Sequence, residues 1–261
     1  MPTPLTEWLP ADVRNRCCQQ NLDAEESFQT EAADGFRDRL RQALYAIGIP
    51  PRLHKTEAKT IPFEIARLSW FQTFPATNFG LVGPSGCGKS CALVHQIKTT
   101  LLAEFTAAGP RQFIDRGGVI TQVAPQMRTE WKWVGWPALA AKIKNFAMRR
   151  DWDNPAASTG ELIQWITFAP ERRVLVLDDV GEESMSPYPS EQLELLIEQA
   201  YDHECRVFWT SNHTVSALGR EVPEQGRIES YGHRLMSRLT GLAPDAELPA
   251  TMPDLRIRKV E

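Results

Sequence analysis

The sequence predicts an α/β fold in which helices cover both faces of a parallel β-sheet. Three short apolar runs, at 79–82, 174–177 and 207–209, have the length and composition of buried central strands. A glycine-rich loop follows the first run and leads into a long amphipathic segment. A second amphipathic segment, at 191–204, lies between the other two runs and is long enough to be a crossover helix. Strands that alternate with helices in this way indicate a doubly wound sheet.

Composition limits the class of protein. The chain has 261 residues, of which 42% are hydrophobic, so it can form one large domain or a main domain with an appendage. A net charge of −4 gives no general attraction for nucleic acid, so DNA binding would need a local basic patch. Apolar runs are far shorter than the ~20 residues that span a bilayer, and no signal-peptide core precedes them, which predicts a cytoplasmic protein without a membrane segment. Five cysteines without a CxxC pair indicate reduced thiols.

The chain divides at a proline-rich stretch near residue 48. Upstream of it, apolar side chains recur at helical spacing as far as Ile47, and Gly48 and Pro50 then end the helix. We therefore expect a short helical N-terminal region at 1–47 and the main domain at 48–261. Proline and glycine cluster again at 109–128 and 242–253, where we expect loops or a small hairpin.

A phosphate-binding loop is predicted at 83–90, GPSGCGKS, which fits the spacing GxxxxGK[ST]. Its glycines allow the backbone to curl around an anion with N–H groups pointing inward, and the following helix adds the positive end of its dipole. We expect Lys89 to reach the terminal phosphates and the Ser90 hydroxyl to ligate Mg²⁺. The predicted nucleotide-binding residues are Gly83, Pro84, Ser85, Gly86, Cys87, Gly88, Lys89, Ser90 and Cys91.

Polar side chains follow the other two apolar runs. Asp178 and Asp179 come directly after 174–177, at the strand end where open α/β sheets bind ligands. A helix cap or a solvated strand end would also explain an acidic pair, but downstream of a phosphate loop we expect Asp178 to hold Mg²⁺ through water and Asp179 to orient or deprotonate the attacking water. Asn212 could hold that water or the γ-phosphate, and the alternative is an Asx turn that closes the strand.

The phosphate loop, LVLDD at 175–179 and TSN at 210–212 resemble, in this order, the motifs of the AAA+ ATPases. The details are similar to the DnaC/IstB group, which comprises replicative helicase loaders and transposition helper ATPases. Four further segments match that group in register: GIPPR at 48–52, VLDDVGEE at 176–183, YGHRLMSRLTG at 231–241 and PDLRIRK at 253–259, which looks like the group's closing strand.

The resemblance implies an ATPase that uses ATP and Mg²⁺ and that works as an oligomer. It makes Arg238 the arginine finger that reaches the nucleotide of an adjacent subunit, with Arg234, one helical turn earlier, as the competing assignment. The alternative is that both are surface arginines on an amphipathic helix. Asp179 stands where many AAA+ proteins have glutamate. Members of this group commonly tolerate aspartate there, so slow hydrolysis and no hydrolysis are equally expected. About twenty residues follow 231–241, too few for the helical lid of many relatives, so a reduced or absent lid is expected.

The resemblance also implies partners. As a helicase loader, the chain would bind a ring replicative helicase through 1–47 and would bind single-stranded DNA. Two alternatives stay open: a transposition helper that assembles on duplex DNA, and a nucleotide-dependent scaffold with little turnover.

The segment 131–150 is the candidate DNA-facing surface. Pro137 is suited to the start of a helix whose apolar stripe leaves its basic residues on the remaining surface. A solvated helix face would explain the same charges. Trp131 and Trp133 could stack on bases, but two large aromatic residues on one face of a strand are more often core. The candidate DNA contacts are Lys142, Lys144, Arg149 and Arg150.

Overall fold

A computed structural model describes residues 37–68, 74, 78–108, 111–114, 120–123, 129–149, 159–183, 187–219 and 232–255. The chain forms two compact units, Met1–Ala43 and Leu44–Glu261. In the first unit the described residues, 37–43, are helical. The predicted N-terminal region at 1–47 therefore lies mostly outside the described residues, and its boundary stays a prediction.

Helices and strands alternate through the second unit. The first helix, α1 (37–47), begins before this unit. The others are α2 (Phe63–Ala66), α3 (Lys89–Ala108), α4 (Trp136–Arg149), α5 (Thr159–Thr167), α6 (Pro187–Asp202), α7 (Val215–Leu218) and α8 (Gly232–Leu242). The strands are β1 (Phe79–Val82), β2 (Arg111–Ile114), β3 (Ile120–Val123), β4 (Glu130–Gly135), β5 (Arg173–Asp178), β6 (Arg206–Ser211) and β7 (Asp245–Glu247).

The central sheet has five strands in the order β4-β5-β6-β1-β7, and every neighbouring pair is parallel. The three predicted strands correspond to β1, β5 and β6, and the α/β fold class is confirmed. β6 lies between β1, which leads into the phosphate loop, and β5, which carries the acidic pair. β2 and β3 form a separate antiparallel hairpin, as expected for part of 109–128.

Both faces of the sheet are covered, which explains the continuous apolar runs. Leu175 and Leu177 of β5 belong to a core cluster with residues of α4, α5, α6 and α8. On the opposite face, Phe79 of β1, Phe208 of β6 and Val176 of β5 lie side by side in one row. The ring centroids of Phe79 and Phe208 are 4.9 Å apart.

The structure agrees with two further sequence predictions, one about which residues form the core and one about where a helix ends. Trp131 and Trp133 of β4 are each 5% exposed, so they are core residues. α1 ends at Gly48, whose φ of +92° is the left-handed conformation that favours glycine after a helix. α6 starts at Pro187, earlier than the predicted 191–204, because proline is tolerated in the first turn of a helix.

The edge strand beside β1 is not where the sequence predicted it. Loops or a hairpin were expected at 242–253 and a closing strand at 253–259, whereas β7 occupies Asp245–Glu247. The described part of the expected closing strand, 253–255, is not a strand, and 256–259 lies outside the described residues. Two of the three β7 residues are exposed, so no apolar run marks the strand. Backbone hydrogen bonds define it instead, from Gly80 N–H to Pro244 O (2.8 Å) and from Leu248 N–H to Val82 O (2.7 Å).

The residues described after β7, 248–255, contain no helix. Among the helices of the described ranges, none combines the length and the apolar character needed to cross a membrane.

Candidate nucleotide-binding site

The predicted site residues come from three neighbouring strands of the sheet. β1, β6 and β5 are adjacent and parallel, so their carboxyl ends lie at the same edge. The phosphate loop follows β1, Asn212 follows β6, and Asp178 is the last residue of β5. A hydrogen bond from Gly83 N–H to Ser211 O (3.1 Å) joins the start of the loop to β6.

Lys89 lies inside the phosphate loop and is only 4% exposed. Its ammonium donates to Gly83 O (2.8 Å) and Pro84 O (2.9 Å), which curls the loop around the side chain. It also donates to Asn212 Oδ1 at 2.6 Å. Burial lowers the pKa of Lys89, and the negative charges around it, those of the acidic pair included, oppose that effect. The structure thus brings two of the predicted catalytic residues into direct contact.

Ser90 and Asp178 form the second contact of the site. The Ser90 hydroxyl donates to Asp178 Oδ1 at 2.7 Å, although the two residues are 88 positions apart. The Thr210 hydroxyl donates to the same oxygen, also at 2.7 Å. The predicted magnesium ligands are therefore adjacent oxygen atoms.

The Asp178 carboxyl group is 4% exposed and has an unusual acidity. Burial, followed by the nearby Asp179 carboxylate, raises its pKa to about 6. The hydrogen bonds from Ser90 and Thr210 act in the opposite direction. A bound cation would stabilise the ionised carboxylate, because an opposite charge offsets both of the effects that raise the pKa.

Asp179 sits on a tight turn immediately after β5. Its φ is +60°, a left-handed conformation that aspartate tolerates better than most residues. Its N–H donates to Thr210 Oγ1 (2.9 Å), and its carbonyl accepts from Glu182 N–H (3.3 Å). The turn fixes the backbone of Asp179 next to Asp178, and the side chain is half-buried.

Thr210 and Ser211 are site residues that the sequence reasoning did not single out. Thr210 is fully buried and contacts both acidic residues, through the Asp178 carboxylate and the Asp179 N–H. The Ser211 hydroxyl donates to Val180 O (2.6 Å) and thereby ties β6 to the turn after β5. A signal was present, because two hydroxyl residues end an otherwise apolar strand.

The residues present fit the nucleotide and metal that the motif implies. Mg²⁺ prefers oxygen ligands, and Ser90 Oγ and Asp178 Oδ1 are such ligands at 2.7 Å from each other. Lys89 supplies a positive charge within the loop, as phosphates require.

Two cysteines belong to the predicted loop, and the structure distinguishes them. Cys87 is fully buried, and burial raises the pKa of its thiol, which disfavours the reactive thiolate. Cys91 is partly exposed at the start of α3.

Arg234 and Arg238 lie on α8 and face two glutamates of α6. Arg234 contacts Glu194 (3.1 Å) and Glu198 (3.5 Å). Arg238 contacts the same two residues, at 3.7 Å and 2.9 Å. The Arg234 side chain is 68% exposed and the Arg238 side chain 29% exposed. Within one subunit both finger candidates therefore pair with α6.

The candidate DNA contacts lie on α4, which starts at Trp136, one residue before the predicted Pro137. Lys142 is exposed and Lys144 is half-buried. Arg149 ends the helix, but its side chain and the whole of Arg150 lie outside the described residues.

Comparison with solved structures finds three to which this chain is similar. The match with the DnaI structure covers 78% of this chain and 93% of the DnaI chain, with 17% sequence identity and a TM-score of 0.49. The match with the DnaC helicase loader covers 77% of this chain and 100% of the DnaC chain, with 16% identity and a TM-score of 0.46. The match with AMPPCP-bound DnaA from Aquifex aeolicus covers 66% of this chain and 40% of the DnaA chain, with 15% identity and a TM-score of 0.40. No family model and no curated protein matches its sequence.

Proposed function

We propose that this chain is a Mg²⁺-dependent ATPase of the AAA+ type that helps to load a ring replicative helicase onto single-stranded DNA. The ATPase part is carried by one contact between the phosphate loop and β5, the hydrogen bond that Ser90 Oγ donates to Asp178 Oδ1. The helicase-loader part is supported by the ordered motifs, in particular 48–52 and 231–241.

Each residue of the site has a role that its position supports. Backbone N–H groups of the loop and the Lys89 ammonium bind the phosphates. Ser90 and Asp178 hold Mg²⁺, which, when bound, neutralises charge on the phosphates. Asp179 orients the attacking water and accepts its proton, and Asn212, already joined to Lys89, positions the terminal phosphate.

The finger acts between subunits. Arg238 leaves its ion pairs with Glu194 and Glu198 when a second copy docks, and its guanidinium then offsets the charge that develops on the transferred phosphoryl group. Hydrolysis consequently depends on oligomerisation.

The remaining surfaces bind the partners. Residues 1–47 contact the ring helicase, and the basic side chains of α4 contact the phosphates of single-stranded DNA. These assignments rest on the family resemblance and on the exposure of Lys142.

Calorimetry with Mg-ATP tests the first step, with Lys89→Ala as the control. We expect binding by the native chain and a large loss of affinity in the variant.

Phosphate release is then measured with and without single-stranded DNA, together with a pull-down from the native host in the presence and absence of Mg-ATP. Recovery of a ring helicase and single-strand preference support the proposal. Cooperative filaments on duplex DNA would favour a transposition helper, and nucleotide-dependent complexes without phosphate release would favour a scaffold. No heat with any adenine or guanine triphosphate would refute the nucleotide site itself.

A further inference from the structure

The turn that follows β5 contains two residues with positive φ. Asp179 has a φ of +60° and Gly181 has a φ of +96°. The left-handed conformation costs free energy for a residue with a side chain, so it persists only where the surrounding structure holds it. The contacts that hold this turn therefore also decide where the Asp179 carboxyl group is placed.

The beginning of the turn is attached to β6. The N–H of Asp179 donates to Thr210 Oγ1 (2.9 Å), and the N–H of Val180 donates to Thr210 O (2.8 Å). The Ser211 hydroxyl donates to Val180 O (2.6 Å). These hydrogen bonds hold the first two residues of the turn on the strand that lies between β5 and β1.

The end of the turn is held by Glu183. Its carboxyl oxygen Oε2 accepts a hydrogen bond from the N–H of Gly181 at 3.0 Å. Gly181 is also packed closely, because an added Cβ would come within 2.6 Å of Leu218 Cδ2. The backbone between Asp179 and Glu183 is thus fixed by the side chain of its own last residue.

The second carboxyl oxygen of Glu183 joins the turn to α4. Oε1 accepts a hydrogen bond from Trp136 Nε1 at 2.9 Å, although the two residues are 47 positions apart. Trp136 is the first residue of α4, is fully buried and directly follows Gly135, which pairs with Asp178 in the sheet. An indole N–H that is buried needs an acceptor, because an unpaired polar group in the core costs free energy. Trp136 is therefore a rigid anchor for the Glu183 side chain.

We propose that Glu183 is a positioning residue for Asp179. Its two oxygens bridge Trp136 and Gly181, and this bridge holds the turn in the conformation in which Asp179 orients the attacking water. Glu183 acts through the backbone of the turn and does not itself touch the nucleotide. The inference rests on the proposed ATP hydrolysis and adds a residue to that same site.

Turnover and ATP affinity, measured separately on the full-length chain with Mg²⁺, test the proposal. Glu183→Gln keeps the size of the side chain but replaces one acceptor oxygen by an amino group, so it cannot accept both hydrogen bonds. We expect turnover at saturating ATP to fall about tenfold, because a small displacement of a positioned group lowers the rate. The ATP affinity from calorimetry should stay within about twofold of native, since Lys89 and the phosphate loop are unchanged. A general loss of structure would lower both quantities.

Trp136→Phe removes the same contact from the other side. It takes away the indole N–H, keeps an apolar ring and leaves the hydrogen bond to Gly181 in place, so we expect a smaller loss of turnover, about threefold. In the double variant, Trp136→Phe with Glu183→Gln, the loss should be smaller than the product of the two single losses, because the two residues act through one contact. Thermal unfolding establishes that each variant is folded.

Glu182→Gln is the matched control, because it makes the same change one residue earlier. The Glu182 side chain is 39% exposed and contacts His213 at 3.2 Å, and the substitution leaves the backbone of the turn unchanged. Its turnover should therefore equal that of the native chain.

Native turnover in folded Glu183→Gln or in folded Trp136→Phe would overturn this inference alone. An equal loss in Glu182→Gln, or an ATP affinity that falls as far as turnover, would also overturn it. Absence of phosphate release by the native chain would overturn the proposed hydrolysis together with it.

Discussion

The Lys89 ammonium donates a hydrogen bond to Asn212 Oδ1 at 2.6 Å, across 123 residues of sequence. This contact joins the phosphate loop to the end of β6 and places the Asn212 amide beside the cation that is proposed to bind the terminal phosphate. The two residues therefore belong to one functional unit.

Substitution of Asn212 should separate binding from hydrolysis. Asn212→Ala leaves the loop and Lys89 in place, so we expect ATP affinity within about threefold of native and a turnover rate that is lower by tenfold or more. Asn212→Asp places a carboxylate against the ammonium, which should hold Lys89 away from phosphate and weaken binding as well. Calorimetry and steady-state phosphate release measure the two effects. Native turnover in Asn212→Ala would contradict the proposed role.

The acidity of Asp178 should make the stability of the protein depend on pH. Folding raises its pKa from 3.8 to about 6, so the folded state holds more protons than the unfolded state between these values. The free energy of unfolding therefore falls as pH rises through that window. Above pH 6 the folded protein bears the full cost of holding the buried Asp178 carboxylate in its ionised form. Asp178→Asn removes the penalty and should stabilise the metal-free protein by about 3 kcal/mol at pH 7.5, with little gain at pH 3.5.

Urea unfolding at the two pH values measures this difference. The same variant should lose Mg²⁺-dependent hydrolysis, because an amide is a weaker magnesium ligand than a carboxylate. A stability gain that is equal at both pH values would show that ionisation of Asp178 is not the cause.

The finger assignment can be tested by mixing inactive subunits. Lys89→Ala removes phosphate binding and Arg238→Ala removes the finger, so mixed oligomers should contain interfaces with one intact site and one intact finger. We expect partial recovery of phosphate release on mixing, and no recovery for either variant alone. Arg234→Ala is the matched comparison, because Arg234 pairs with the same two glutamates, Glu194 and Glu198, but its side chain is more exposed. Recovery with Arg234→Ala instead of Arg238→Ala would move the finger to Arg234.

DNA binding by α4 should appear in the salt dependence of affinity. Lys142 is exposed on α4, and Lys142→Ala should weaken binding of single-stranded DNA and lower the slope of log K against log salt by about 0.7. Lys142→Arg keeps the charge and should preserve both values. Fluorescence anisotropy with a labelled oligonucleotide from 50 to 300 mM NaCl provides the measurement. An unchanged slope in Lys142→Ala would exclude a phosphate contact at this position.

Much of the site could be predicted because its signals are local. The loop spacing, the apolar run that ends at Asp178 and the one that leads to Asn212 each occupy fewer than ten consecutive residues. Parallel strands place their carboxyl ends at one edge, so their convergence followed from the fold class. Thr210 was missed because a hydroxyl at a strand end has many uses, and its contact with Asp178 depends on the neighbouring strand.

The sequence by itself determined the α/β class and the order of β1, the phosphate loop and α3, and it predicted the residues that are proposed to bind phosphate and magnesium. Hydrophobic periodicity and glycine spacing act over short distances along the chain, so they are readable without a structure. Tertiary structure alone decided that β7 forms at Asp245–Glu247, that Lys89 contacts Asn212, and that Trp136 donates to Glu183. These features depend on backbone hydrogen bonds and on contacts between distant segments, which leave no periodic pattern in the residues that make them.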